Sequence, residues 1–139
     1  MSGSADYILE EQIGFVLRKA SQRHIAIFAK HISELTPPQF AALAKLAEVG
    51  ETSQNQLGAL VAMDAATIKG VIDRLKARGL VSLSRHEGDR RRLIVALTDK
   101  GREAVEKFRP LAHRITDETT SPLTARERET LMRLLAKVS

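Results

Sequence analysis

The stretch from Asp64 to Leu97 constrains this chain more than any other. Ile68, Val71, Ile72 and Leu75 recur at i, i+3, i+4 and i+7, the spacing of one buried helix face. After Gly79 the period drops to two: Val81 and Leu83, then Leu93, Val95 and Leu97, alternate with polar residues on either side of Gly88. This pattern predicts a helix capped by Asp64 and stopped at Gly79, where a left-handed residue is needed, followed by a β-hairpin. The hairpin tip is Glu87-Gly88-Asp89-Arg90-Arg91-Arg92, a short acidic and basic run.

Charge concentrates on the same stretch. The formal net charge is +5, and residues 64–92 alone carry eight basic against four acidic side chains. Such a footprint suits phosphates, although Arg-rich surface loops also occur in proteins that never meet nucleic acid. Aromatic residues make up 4% of the chain and apolar residues 43%, a mixture suited to helices packed through Leu, Ile, Val and Ala. At 139 residues one domain, 1–139, is expected. No apolar run approaches the roughly 20 residues that span a bilayer, so no membrane partner is expected. Met1 to Asp6 lacks the basic-then-apolar pattern of a secretory signal, which makes the cytoplasm the expected location. The chain has no cysteine, which excludes disulfides and thiolate metal sites within it.

The other elements follow from capping and spacing. A first helix is predicted from about Asp6 to Ile32, with Ile13, Leu17, Ala20, His24, Ile27 and His31 forming a heptad-like seam. Thr36-Pro37-Pro38-Gln39 opens a second helix with a capping box, and Gly50 ends it. Ser53-Gln54-Asn55-Gln56 repeats that logic for a short third helix, before the one capped by Asp64. Thr98 caps a long helix to about Thr119, which Pro110 should kink. Thr124 to Glu127 caps a last helix striped by Leu131, Leu134, Leu135 and Val138.

Two short helices joined by a tight turn, then a hairpin, make a winged helix-turn-helix, whose second helix enters the major groove. The fold class expected is mainly α with a small β-hairpin wing: a winged helix-turn-helix over 36–98, plus N- and C-terminal dimerisation helices over 6–32 and 99–139. Opposite the buried stripe lie Ala66, Gly70, Asp73 and Ala77, flanked by Thr67, Lys69 and Arg74. Gly70 lets the helix approach base edges closely, or is a mere weak spot costing about 1 kcal/mol relative to Ala. Ser53 and Gln54, at the start of the third helix, complete the helical part of the expected DNA-contacting set. On the wing, Arg90 and Arg91 suit the narrow minor groove, and Asp89 is placed to orient Arg91 by a charge-assisted hydrogen bond.

Four segments carry a family resemblance. They are Ala66-Thr67-Ile68-Lys69-Gly70-Val71-Ile72-Asp73-Arg74-Leu75, Arg78-Gly79-Leu80-Val81, Asp89-Arg90-Arg91 and Leu97-Thr98-Asp99-Lys100-Gly101. Together, and in this order, they resemble the MarR family of winged-helix regulators across nearly the whole chain. The resemblance implies an obligate homodimer, formed by the first and last helices, that binds a palindromic double-stranded operator. It also implies that Thr67 and Lys69 face the major groove and that Asp89 and Arg91 form the wing. Many relatives carry Arg where this chain has Gly70, which moves the expected base contact to Lys69.

The segment Gln12 to Arg18, with Gln22-Arg23-His24, is similar to relatives that control degradation of aromatic acids, whose effectors include free aromatic acids and aryl-CoA thioesters. Phe15, Arg18, Arg23, His24 and Phe28 are therefore the expected effector contacts: a cation pairs with a carboxylate and rings cover its apolar face. His24 and His31 on an apolar stripe equally suit hydrogen-bonded core or interface positions. Zinc would need three or four ligands; His24, His31 and His113 could converge, but no short-range motif supports it, so neither metal nor cofactor is expected. No nucleophile elbow, phosphate loop or metalloprotease pattern points to an enzyme or to catalytic residues. The reading is a sequence-specific transcription regulator, a repressor released by a small aromatic carboxylate or its CoA thioester. The alternative is a winged-helix module for protein contacts with only non-specific DNA affinity.

Overall fold

A computed structural model describes residues 6–89 and 91–139, which form α-helices and one small antiparallel sheet. The chain divides into two compact units. One is Ile32–Leu111; the other joins the chain up to His31 with Ala112–Ser139.

In the Ile32–Leu111 unit, α2 (Pro37–Val49) begins with the full capping box expected of Thr36 and Gln39 and ends at Gly50, φ +81°. Next come β1 (Thr52–Ser53), α3 (Gln54–Leu60) and α4 (Ala65–Ala77). The Asp64 carboxylate accepts the Thr67 N–H at 2.7 Å and caps α4. The stripe read from the sequence is the buried one: Ile68, Val71, Ile72 and Leu75 are at most 6% exposed, and α4 packs on α2 and α3. Burial of such side chains contributes about 1.5–3 kcal/mol each, which fixes how the helix is rotated about its axis.

The hairpin is present as β2 (Val81–Arg85) and β3 (Leu93–Leu97), with Leu83 opposite Val95. It is not alone. β1 adds a third strand on the other edge of β3, Thr52 opposite Val95 and Ser53 opposite Ile94. A two-residue strand has no alternation to read, so periodicity could not announce it. This strand also corrects one expected DNA contact. Ser53 is buried at 7% exposure and its hydroxyl accepts the Gln56 N–H at 3.1 Å, so it serves the sheet and the α3 cap.

The Leu97-Thr98-Asp99-Lys100-Gly101 motif ties the end of α4 to the start of α5 (Asp99–Thr119). The Thr98 hydroxyl donates to the Gly79 carbonyl at 2.6 Å and accepts the Gly101 N–H at 3.0 Å. The Thr98 N–H donates to the Leu80 carbonyl at 3.2 Å, and the Lys100 ammonium to the Arg78 carbonyl at 2.8 Å. Gly79 has φ +74°, as its place after the helix requires. A Cβ on Gly101 would stand 2.0 Å from the Leu80 oxygen, so no other residue fits there without movement of the backbone.

In the other unit, α1 is Ile13–His31, later than the start expected near Asp6. Leu9–Glu11 forms a single 3-10 turn between Ile8 and Gln12, both extended, and the Gln12 amide donates to the Ile8 carbonyl. These two extended residues interrupt the backbone ladder, so the helix begins with the seam itself at Ile13.

The C-terminal end of α5 is tied to α1. The Arg23 guanidinium donates to the carbonyls of Thr119 and Glu118, the His24 Nδ1 lies 2.9 Å from the Thr119 hydroxyl, and the Glu118 carboxylate takes Lys30 and His31. Cations at the end of a helix also offset its negative pole. Donation from Lys30, then from His31, holds the Glu118 carboxyl below its ordinary value of 4.5. A carboxylate with a depressed folded pKa stabilises the fold above the ordinary value and loses that contribution as pH falls through the folded one. Glu118→Gln should therefore lower the melting temperature at pH 7, with the gap to the wild type closing as pH falls below the ordinary carboxylate value. Thermal melts of both proteins across that range check it; a gap that persists in acid would mean Glu118 acts through packing.

α6 (Ala125–Lys137) begins with the capping box expected of Thr124 and Glu127. Its stripe is not covered: Leu131, Leu134 and Val138 are 39%, 46% and 73% exposed. On α1, Ile13, Val16 and Leu17 are exposed too. Apart from Val49 and Leu60, every exposed large hydrophobic residue described lies in this unit. No helix among the described residues is long and apolar enough to cross a membrane.

Candidate nucleic-acid interface

With its apolar stripe buried, α4 turns Ala66, Thr67, Lys69, Asp73 and Arg74 to solvent, and Gly70 is half-buried among them. Thr67 is partly engaged at the cap: its N–H, and then its hydroxyl, hold the Asp64 carboxyl below the usual carboxylate range. The Lys69 ammonium pairs with the Asp73 carboxylate at 2.8 Å, one turn on. Exposed pairs of this kind contribute about 0–1 kcal/mol, so the bond orients Lys69 more than it stabilises the helix. Beside Gly70 there is room for a side chain. An added Cβ would meet only the Arg74 guanidinium, at 3.5 Å, so neither sterics nor backbone demand glycine here. Gln54, the first residue of α3, is half-buried.

On the wing, the His86 N–H donates to the Arg92 carbonyl at 2.9 Å and closes the hairpin. The Asp89 carboxylate meets the Arg91 backbone: it accepts the Arg91 N–H at 3.0 Å. A bond to the Arg91 N–H thus stands where one to the guanidinium was expected, and the Arg91 side chain is exposed. Arg90 lies outside the described residues.

The expected effector contacts fare unequally. Arg23 and His24 are spent on the end of α5, and Phe28 is buried at 6% exposure. Phe15 is half-buried with the Lys19 ammonium 5.8 Å from its ring centre. Arg18 is exposed and has no hydrogen bond or ion pair among the described residues. His31 faces Glu118, and no three His, Asp or Glu side chains described could share a metal ion. A half-open groove of about 510 Å³ lies within the Ile32–Leu111 unit, lined by Leu46, Leu97, Arg102, Val105 and Arg109 among others. None of the five α1 residues lines it.

Residues 35–93 match the model of the MarR family. The transcriptional repressor NicR of Pseudomonas putida is 43% identical over 134 residues, 95% of this chain and 85% of NicR. The chain belongs to the MarR family. Among solved structures, a probable transcriptional regulator of Pseudomonas aeruginosa is 50% identical with a TM-score of 0.91, covering 95% of this chain and 100% of that one. BpsR of Bordetella bronchiseptica, whose DNA binding is regulated by 6-hydroxynicotinic acid, is 43% identical with a TM-score of 0.91, covering 96% and 97%. As a MarR-family protein the chain is a DNA-binding transcription regulator of winged-helix fold, and not an enzyme.

Two residues outside this interface escaped the sequence reading. Gly101 was legible as part of a motif, but not as the point where two backbones touch. Glu118 carried no signal, because its partners Lys30 and His31 are about 90 residues away in sequence.

Proposed function

We propose that this protein is a homodimeric repressor that reads a palindromic operator and is released by a small aromatic carboxylate. The observation that carries the DNA reading is α4. Its apolar side is locked by burial, and its polar side, Thr67, Lys69, Gly70 and Arg74, is left to solvent within the same unit as a basic hairpin. Residues 36–98 are the DNA-binding region, with Arg91 in the minor groove and Lys69 and Thr67 near base edges or phosphates. Residues 6–32 and 99–139 supply the dimer. Support for that comes from the uncovered stripes of α1 and α6, which a second copy would bury across a two-fold axis. Two such protomers would present recognition helices about 34 Å apart, one DNA turn. Such a regulator works in the cytoplasm.

For the effector, Arg18 is the expected carboxylate anchor, because Arg23 and His24 already have partners and Arg18 has none among those described. Phe15 and Phe28 would supply apolar cover. The likeness to BpsR favours a free acid over a CoA thioester. The test is operator binding by fluorescence anisotropy with a panel of aromatic acids, 6-hydroxynicotinic acid included, and their thioesters. One compound should weaken operator binding by roughly tenfold or more, within the usual range of allosteric coupling. Arg18→Ala should bind the operator as tightly as the wild type and no longer respond. A panel without effect would refute release by an aromatic acid, and a variant that still responds would move the anchor elsewhere.

A further inference from the structure

We infer that Arg74, carried over the gap at Gly70, is the side chain that reads a guanine in each operator half-site. The inference rests on α4 being the DNA-reading helix, as proposed above, and adds which residue specifies the sequence. Residues 70 and 74 are one turn apart on the same face, and helical side chains lean toward the N-terminus. Arg74 therefore runs back over residue 70, and with glycine there nothing lifts it away. Its Nη1 lies 3.5 Å from where the Gly70 Cβ would be.

This moves the guanidinium about 6 Å along the helix from its own Cα, toward the N-terminal turns that meet base edges. The neighbouring cation is engaged: Lys69 pairs with Asp73 at 2.8 Å. Arg74 has no carboxylate partner among the described residues, so its planar fork is the group on this face equipped to donate to O6 and N7 of one guanine. An Arg in that role meets both acceptors with two parallel N–H groups held in one plane, whereas an ammonium must reach them from a single nitrogen on a flexible stem. A Cβ at residue 70 would only touch the guanidinium in ordinary contact, at 3.5 Å, so it takes a larger side chain there to displace Arg74.

The experiment is affinity measurement on an operator duplex in which each base pair of the half-site is replaced in turn. The full-length wild type is compared with Arg74→Ala, Arg74→Lys and Gly70→Leu. For the wild type, replacing one guanine per half-site should weaken binding by roughly tenfold or more. Arg74→Ala and Gly70→Leu should lose that penalty to within about twofold, and Arg74→Lys should keep part of it. Arg74→Ala and Gly70→Leu should melt at or above the wild-type temperature, since alanine and leucine are better helix formers than the residues they replace. Arg74→Ala weakening every duplex equally, random DNA included, would make Arg74 a phosphate contact and overturn the inference while leaving the regulator reading intact. An unchanged guanine penalty in Arg74→Ala would overturn it as well. A wild type with no preference for any duplex would overturn the inference together with the reading beneath it.

Discussion

Gly101→Ala should cost this protein about 3 kcal/mol or more, a large share of the 5–15 kcal/mol that holds a domain of this size together. The added methyl would stand 2.0 Å from the Leu80 carbonyl oxygen, which is backbone and has no rotamer to change. Relief requires the start of α5 to move off Leu80, just before β2, and that breaks the bond from the Thr98 N–H to the same oxygen. A buried carbonyl left without its donor adds about 1–3 kcal/mol to the steric cost. In a thermal melt the loss should appear as a fall of at least roughly 10 °C. The same substitution at Gly70 provides the contrast. There the Cβ meets only the end of Arg74, so Ala should stabilise by about 0.5–1 kcal/mol through helix propensity. If Gly101→Ala melts with the wild type, the contact between α5 and Leu80 is softer than its geometry states.

The second large effect concerns assembly. Leu131→Asp with Leu134→Asp places two charges on the uncovered stripe of α6, where both leucines are already about two-fifths exposed, at 39% and 46%. Folding of a single chain should change little, because neither side chain contributes to the buried core. A second copy seated on that stripe would have to bury both carboxylates unpaired, which costs several kcal/mol each. The variant should sediment as a monomer and bind operator 10²–10⁴-fold more weakly, roughly the avidity that joining two half-site readers confers. A monomeric variant with full operator affinity would mean that one protomer suffices. A variant that stays dimeric would place the interface elsewhere.

Much of the DNA-reading unit was legible because its information is local. The α4 stripe, its Asp64 cap and the hairpin all follow from spacings within a few residues, and each is present. What could not be read depends on distance or on a rotamer. β1 is two residues long and exists only because β3 offers it an edge. Ser53 was expected at the DNA and is buried for that reason. Arg23 and His24 suited a ligand until the end of α5, distant in sequence, supplied Glu118 and Thr119 as partners. The start of α1 was misplaced because Ile8 and Gln12 are extended on either side of a 3-10 turn, which the seam beginning at Ile13 does not announce. Asp89 shows both sides: a bond between it and Arg91 was readable, but that it would go to the amide and not to the guanidinium was not.

The measurement that tests the central claim most directly is a binding titration on random-sequence and promoter-proximal DNA at two salt concentrations. A sequence-reading regulator should bind one palindromic site, with half-sites one turn apart, about 10³-fold or more tighter than random DNA at the same salt. Both affinities should fall as salt rises, because the wing and α4 release counterions from phosphates. Weak binding to both DNAs, equally lost at higher salt, would contradict the claim and leave only a basic surface.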